Sequence, residues 1–296
     1  MFSIIIPTFN NIDYLKVCIA SLIHNSEYKH QIIPHVNIGD DGTKEYLQSK
    51  KIEFTYTDYN SGICEGMNKA SKLAKFDYIL YAHDDFYFCP EWDSVLVKEI
   101  NLIGHNKFYL SGIMMNNGPL KYNCGNDLKD FNEKKLLQNY KMINHYDFQG
   151  STWAPHLIHK DLWNRVGGFS EEYYPGTGSD PDLNMKLWNE GVRIFKGIND
   201  CKVYHFGSIV TRKYRDHPTI QTESGSKGGK LFLLKWGISI EFFKRFYLKS
   251  DTLYNGKLEK PKKNLSYLLN LFICKLNYFY IKFIYRKYNN TNFSNR

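Results

Sequence analysis

What the chain does without narrows the field first. No uncharged apolar run reaches the roughly 18 to 20 residues that a membrane-spanning helix needs, and lysines interrupt even the apolar C-terminal stretch. The six cysteines, Cys18, Cys64, Cys89, Cys124, Cys201 and Cys274, form no CxxC pair, which argues against a zinc site. A glycine-rich dinucleotide fingerprint and a P-loop are both missing. Any nucleotide is therefore expected to be held by carboxylates, backbone and metal rather than by a phosphate-cradling loop. The N-terminus shows no leader pattern, because Met1-Phe2-Ser3 runs straight into Ile4-Ile5-Ile6-Pro7. Together these features predict a cytoplasmic, reduced protein.

What is present is a globular composition with excess positive charge. Hydrophobic residues at 43% and aromatics at 16% over 296 residues are enough to build a full core, which sets disorder aside. The formal charge of +9 suggests an anionic partner: nucleotide phosphates, nucleic acid or an acidic membrane surface. No nucleic-acid motif accompanies the charge, so nucleic acid is not expected.

The stretch from Phe76 to Phe86 organises the rest: an apolar, aromatic run reads as a buried strand and stops at His83-Asp84-Asp85. Ligands bind outside the carboxyl ends of strands in open α/β sheets, and two adjacent acids repel unless a cation or donors compensate them. One acid can hold a metal while the other accepts from a hydroxyl; a solvated Asp-Asp turn is the plain alternative.

In chain order, Phe2–Ile6 reads as a strand and Leu15, Ile19, Leu22 and Ile23 as a helix capped by Asn11 or Asp13. A strand at His35–Ile38 ends in Gly39-Asp40-Asp41-Gly42-Thr43, a second acid pair at a strand end. A third strand, Ile52–Thr57, leads through Asn60-Ser61-Gly62 to a helix bearing Met67, Ala70 and Leu73. Pro90 opens a helix with Trp92, Leu96 and Ile100, and Lys107–Met115 is a further strand. This alternation predicts an α/β fold, a mostly parallel Rossmann-like sheet flanked by helices.

Four of these pieces together carry a resemblance. Ile4-Ile5-Ile6-Pro7-Thr8-Phe9-Asn10, Asp40-Asp41-Gly42-Thr43, Asn60-Ser61-Gly62 with Asn68, and Asp84-Asp85 resemble the nucleotide-binding half of family 2 glycosyltransferases with the GT-A fold. The resemblance implies a nucleotide-sugar donor lined by Pro7, Thr8, Asn10, Asp40, Asn60, Gly62, Asn68 and Asp84. Within that set, Asp40 reads the base edge, uracil by preference, and Asp84 meets the ribose. Asp85 is implied to bind Mn2+ or Mg2+ on the diphosphate.

The second informative stretch runs from Phe148-Gln149-Gly150-Ser151-Thr152-Trp153 through Gly167-Gly168-Phe169 to Gly178-Ser179-Asp180-Pro181-Asp182-Leu183. It is similar to the acceptor half of the same family, where an acidic pair at a helix start supplies the base. That implies Asp180 as general base, with Asp182 left to cap the helix or hold the acceptor-side loop through backbone N–H bonds, although capping alone explains either acid. His205, after an apolar strand, is implied to complete the metal site; the plain alternative is a packed core histidine. Trp153 and Trp163 read either as sugar-stacking surfaces or as core. Arg212, in a basic loop, either folds over the diphosphate or stays solvated. Residues 116–146 read as an insertion near the site or a surface excursion.

The chain departs from the family pattern where Met67 replaces an Arg, Ser179 a Glu, Lys186 an Arg, and His83-Asp84-Asp85 a strict Asp-x-Asp. The expected organisation is a nucleotide-sugar-binding half over 1–115, an acceptor-binding half over 116–224 and a basic, aromatic helical extension over 225–296. In that extension Leu265, Leu268, Leu269, Phe272, Leu276, Phe279 and Phe283 share one helical face, and Lys275, Lys282 and Arg286 another. Such a helix lies on an anionic membrane, as in a peripheral protein, or packs on its own catalytic domain. A homo-oligomer is left open.

The function implied is metal-dependent, inverting transfer of a sugar from a nucleotide diphosphate to a hydroxyl acceptor in glycan or polysaccharide synthesis. Two alternatives stay beside it: a non-catalytic nucleotide- or glycan-binding module, and a sugar nucleotidyltransferase. The basic glycine-rich loop of the latter is missing from the N-terminus.

Overall fold

A computed structural model describes residues 1–207 and 226–293, with side chains in the C-terminal helix as far as Phe283. Arg212 and its loop lie outside the described residues, as does the side chain of Arg286.

The core is one mixed sheet drawn from residues 3 to 205. Its strands are β1 (Ser3–Phe9), β2 (Gln31–Asn37), β3 (Thr55–Thr57), β4 (Tyr78–Tyr81), β5 (Phe86–Phe88), β6 (Phe108–Asn116), β7 (Phe148–Gln149), β8 (His156–His159) and β9 (Ile194–His205). Their order is β3-β2-β1-β4-β8-β6-β9-β5, with β7 paired to β9. β1 pairs in parallel with both β2 and β4, so the carboxyl ends of all three open on one sheet edge. β8 runs antiparallel between β4 and β6, and β6 pairs in parallel with β9.

Ile4, Ile5 and Ile6 are fully buried, because parallel strands covered on both faces need apolar residues in succession. The helices α1 (Ile12–His24), α2 (Thr43–Ser49), α3 (Gly62–Ser71) and α4 (Trp92–Ile103) return the chain between strands. Three details differ from the sequence reading. Asn11 stands at the N-cap of α1 as expected, but its side chain makes no capping bond, and Asp41 from the next crossover accepts from the Ile12 N–H at 2.8 Å instead. Pro90 precedes the cap of α4, because Glu91 sits at φ +68° and breaks the helical path there. The acid-ended strand divides: β4 stops at Tyr81, and β5 resumes after the turn, antiparallel to β9.

Residues 116–146 include α5 (Glu133–Asn139) and bury Leu120, Cys124, Leu136 and Tyr140 in a second apolar cluster with Tyr204 and Phe206. After α6 (Lys160–Val166) and α7 (Ser179–Asn189), the extension adds α8 (Ser226–Trp236) and a long helix, Leu265–Phe293. Tyr267, Leu271, Cys274, Tyr278 and Ile281 of that helix join the main core, Tyr267 packing edge-on against Phe242. The face noted in the sequence is therefore the outer one, and Leu265, Phe272, Phe279 and Phe283 are exposed. No helix among the described residues is long and apolar enough to cross a membrane.

Candidate active site

The site is built by sheet register. Phe86 pairs with His205, which sets Asp85 beside it, and the Phe206 N–H donates to the Asp85 carbonyl at 3.2 Å. A carboxylate oxygen of Asp85 then lies 3.5 Å from His205 Nε2. On the other side of β9, Asn116 pairs with His205. Asn117 donates its amide to the His205 carbonyl at 3.0 Å, and its own carbonyl lies 2.9 Å from His205 Nδ1. Because a carbonyl only accepts, Nδ1 carries a proton, which leaves Nε2, turned toward Asp85, as the nitrogen that would bind a metal. Gly207 completes the arrangement: at φ +93°, a Cβ there would come within 2.4 Å of the Asn117 amide.

His83 joins this pair. Its ring stacks on Phe86 with centroids 4.7 Å apart and stands edge-on to His205 at 5.8 Å. Donor atoms of His83, Asp85 and His205 lie within 4.8 Å of one another, the one such group among the described residues. Burial pushes the His83 imidazole down to about 4, so it is neutral and able to coordinate at pH 7. Two imidazoles and a carboxylate fit Mn2+ better than Mg2+, which prefers oxygen alone. Asp84 lies beside them, its carboxylate accepting from the buried Thr8 hydroxyl at 2.7 Å. Burial, then the adjacent charge of Asp85, pushes Asp84 up to about 7. The resemblance implies Asp85 and His205 as metal ligands, and the structure adds His83 beside them as a third candidate donor, signalled in the sequence only by its place in His83-Asp84-Asp85.

The donor-side residues line the ends of β1, β2 and β4. Pro7 lies in β1, paired with His35. Asn10, at φ +44°, accepts from the Asp40 backbone N–H at 2.9 Å, and the Asp40 side chain is exposed. Asp41 is committed structurally: besides Ile12 it accepts from the Thr43 hydroxyl at 2.6 Å. Asn60 accepts from the Gly62 N–H at 3.1 Å. Gly62, at φ +71°, lets the Tyr174-Pro175 segment pass, since a Cβ would meet the Pro175 carbonyl at 2.9 Å. Asn68 faces inward to the fold: it accepts from the Phe169 N–H and donates to the Phe169 carbonyl, both at 2.9 Å, clamping the Gly-Gly-Phe loop. Met67 is core, and Lys186 donates to the Gly168 carbonyl.

A run of rings leads from the cation cluster to the second carboxylate. Tyr81 lies 5.2 Å from His83 and 5.2 Å from His156, its cross-strand partner. His156 Nδ1 lies 2.9 Å from the Tyr109 hydroxyl and 3.8 Å from Asp180 Oδ1. Asp180 sits in the first turn of α7, entered through Gly178 at φ +87°. Its Oδ1 is shielded from solvent with no hydrogen-bond partner, while the side chain as a whole stays 27% exposed. Burial pushes its carboxyl up to about 7, against the pull of its own backbone N–H. A carboxylate that is accessible, underbonded and poised near neutrality has the properties of a general base. His156 and Tyr109 were not identified from sequence.

Asp182 is different. Fully buried, it accepts from the Ser170 hydroxyl at 2.6 Å and the Trp236 indole at 2.8 Å, and pairs with Lys235 at 3.0 Å. It ties α8 to α7. Asp182→Ala leaves an ammonium and an indole without their acceptor, and is expected to cost about 3–5 kcal/mol in urea unfolding. A loss below about 1 kcal/mol would show the network to be incidental. Trp163 is core, its indole donating to Ser71 at 3.1 Å. Trp153 is half-buried and stacks on Phe148 at 5.2 Å.

The sheet order, the acid-ended parallel strands and the helix-start carboxylate define a GT-A fold. Residues 3–154 match the profile of glycosyl transferase family 2, and the chain belongs to that family. Chondroitin synthase of Pasteurella multocida is 24% identical over 270 residues, which are 79% of this chain and 26% of that protein. An uncharacterized glycosyltransferase of Mycoplasma genitalium, MG025, is 35% identical over 100 residues, 31% of this chain and 33% of that one. This chain thus spans about a quarter to a third of these relatives. Among solved structures, S. aureus TarS 1-349 in complex with UDP-GlcNAc superposes with a TM-score of 0.53 at 15% identity, covering 85% of this chain and 67% of that one. At that identity the likeness is one of fold.

Proposed function

We propose that this chain is a metal-dependent glycosyltransferase that moves a sugar from a UDP-linked donor to a hydroxyl acceptor, inverting the anomeric carbon. The observation that carries the reading is Asp180: a half-buried carboxylate whose shielded Oδ1 has no hydrogen-bond partner, connected through His156 and Tyr81 to the three-residue candidate cation cluster. In this reading residues 1–115 hold the donor and 116–224 the acceptor, in glycan or polysaccharide synthesis. A relative named chondroitin synthase, and a fold neighbour solved with UDP-GlcNAc, support those classes.

Asp40, exposed at the end of β2, meets the base, with Asn10 fixing its backbone. Asp84, held by Thr8, meets the ribose. His83, Asp85 and His205 would hold the divalent ion, which when bound supplies a positive charge against the diphosphate leaving group. Asp180 accepts the acceptor hydroxyl proton as that oxygen bonds to the anomeric carbon. The bond from that carbon to the phosphate oxygen breaks, and UDP leaves with the electron pair. Approach from the side opposite the leaving group inverts the centre. Trp153 offers a face to the acceptor sugar.

Thermal-shift titration tests the donor side. A ligand at a hundred times its Kd stabilises by about 2.7 kcal/mol, so UDP with Mn2+ is expected to raise Tm, more than UDP alone. Asp40→Ala is expected to weaken the effect with or without metal. Equal stabilisation by ADP and UDP, unmoved by Asp40→Ala, would count against the assignment.

A further inference from the structure

The helix Leu265–Phe293 carries two apolar stripes, and the fold uses one. Tyr267, Leu271, Cys274, Tyr278 and Ile281 recur every third or fourth residue and pack inward. At 100° per residue the opposite side holds Leu265, Leu269, Phe272, Leu276, Phe279 and Phe283, each more than half exposed. That stripe is about 27 Å long at 1.5 Å per residue. A contiguous apolar surface of this length marks an interaction site.

We propose that this outer face docks, lying flat, on an anionic phospholipid bilayer. Charge decides the occupant. From Lys260 to Arg296 the sequence has eight Lys and Arg and no Asp or Glu. Lys275 and Lys282 are exposed on the border between the stripes, where their stems reach to headgroup level when the aromatics are immersed. Lys262 and Lys263, exposed just before the helix, extend the basic rim. A second copy of the same helix would bring lysines together with no carboxylate to meet them, whereas acidic headgroups complement every charge. The chain's own body is already seated on the other stripe. Lysines at both ends of the stripe and the short apolar length keep the helix on the surface rather than across it.

Sedimentation of the full chain with vesicles tests this. It is expected to bind phosphatidylcholine vesicles containing phosphatidylglycerol at low salt, and to bind phosphatidylcholine alone much more weakly. Raising salt through the physiological range is expected to release it, as screening shortens the reach of each lysine. Phe272→Ser with Phe279→Ser is expected to lower partitioning at least about tenfold, and Lys275→Gln with Lys282→Gln to lower it only on the anionic vesicles. Both residues of each pair face away from the core, so circular dichroism and UDP-dependent Tm serve as folding controls. No binding to the anionic vesicles, or binding unaffected by the double Phe variant, would overturn the proposal. So would a dimer that the Phe variant converts to monomer, which would assign the face to a second copy.

Discussion

Asp180→Asn is expected to reduce sugar transfer by about 10²–10⁴-fold, the usual contribution of a positioned general base, with UDP and Mn2+ affinity unchanged. The same change is expected to stabilise the fold. Burial raises the folded-state pKa of Asp180 from the ordinary 3.8 to about 7. The folded state thus holds a proton that the unfolded chain releases, and stability falls as pH rises from about 4 to about 7. An amide at 180 removes that penalty, so the gain in Tm should be absent near pH 4 and full at pH 8. Catalysis runs the other way: the base must be ionised, so kcat/KM of the wild type should climb through about pH 7 and then level. A Tm gain equal at pH 4 and pH 8 would place the carboxylate in water and remove the reason to read it as a tuned base. Near-normal turnover in the variant would remove the role itself.

The second large effect concerns the cation cluster. Asp85→Ala is expected to abolish the Mn2+-dependent part of UDP binding and to reduce transfer to background, since it removes the only carboxylate among the three candidate ligands. His205→Ala and His83→Ala each remove a candidate ligand outright and are expected to weaken Mn2+ affinity by more than the roughly 10- to 100-fold that loss of a ligand's supporting partner costs. Asn117→Ala is informative because Asn117 touches His205 rather than the ion. The substitution keeps the backbone carbonyl that receives Nδ1 and removes only the side-chain amide that donates to the His205 carbonyl, so it should weaken Mn2+ binding by less than His205→Ala while leaving metal-free UDP binding intact. Unchanged Mn2+ affinity in all of the Asp85, His205 and His83 variants would place the ion elsewhere.

The parallel half of the fold was legible because its signals are local. Ile4-Ile5-Ile6, the Gly39–Thr43 turn and the run into Asp84-Asp85 each announce a strand end by residue type alone. The antiparallel half was not. β5 is three residues long and β8 four, too short for a periodic pattern. His156 approaches Asp180 from β8, and Tyr109, in β6, reaches it only through the His156 ring, so neither had a signature of its own. His83 was visible only as a departure from a motif. Asp182 and Asn68 show the opposite case, in which motif position and physical occupation part. Both stand where the motif places functional residues, and both spend their hydrogen bonds on Trp236 with Ser170, or on Phe169. In the tail, periodicity located an apolar face correctly and left its direction open, because outer and inner stripes repeat at the same spacing. Only the packing of Tyr267 and Cys274 decides which one faces the core.

The measurement closest to the central claim is release of UDP from a UDP-sugar panel by the full chain, followed with Mn2+, with EDTA, and in the Asp85→Ala variant. The account predicts slow UDP formation from at least one sugar nucleotide with Mn2+, accelerated by a hydroxyl acceptor and lost both with EDTA and in Asp85→Ala. UDP-sugar binding at micromolar Kd with no turnover under any of these conditions would contradict it, and would identify the chain as a binding module on a glycosyltransferase fold.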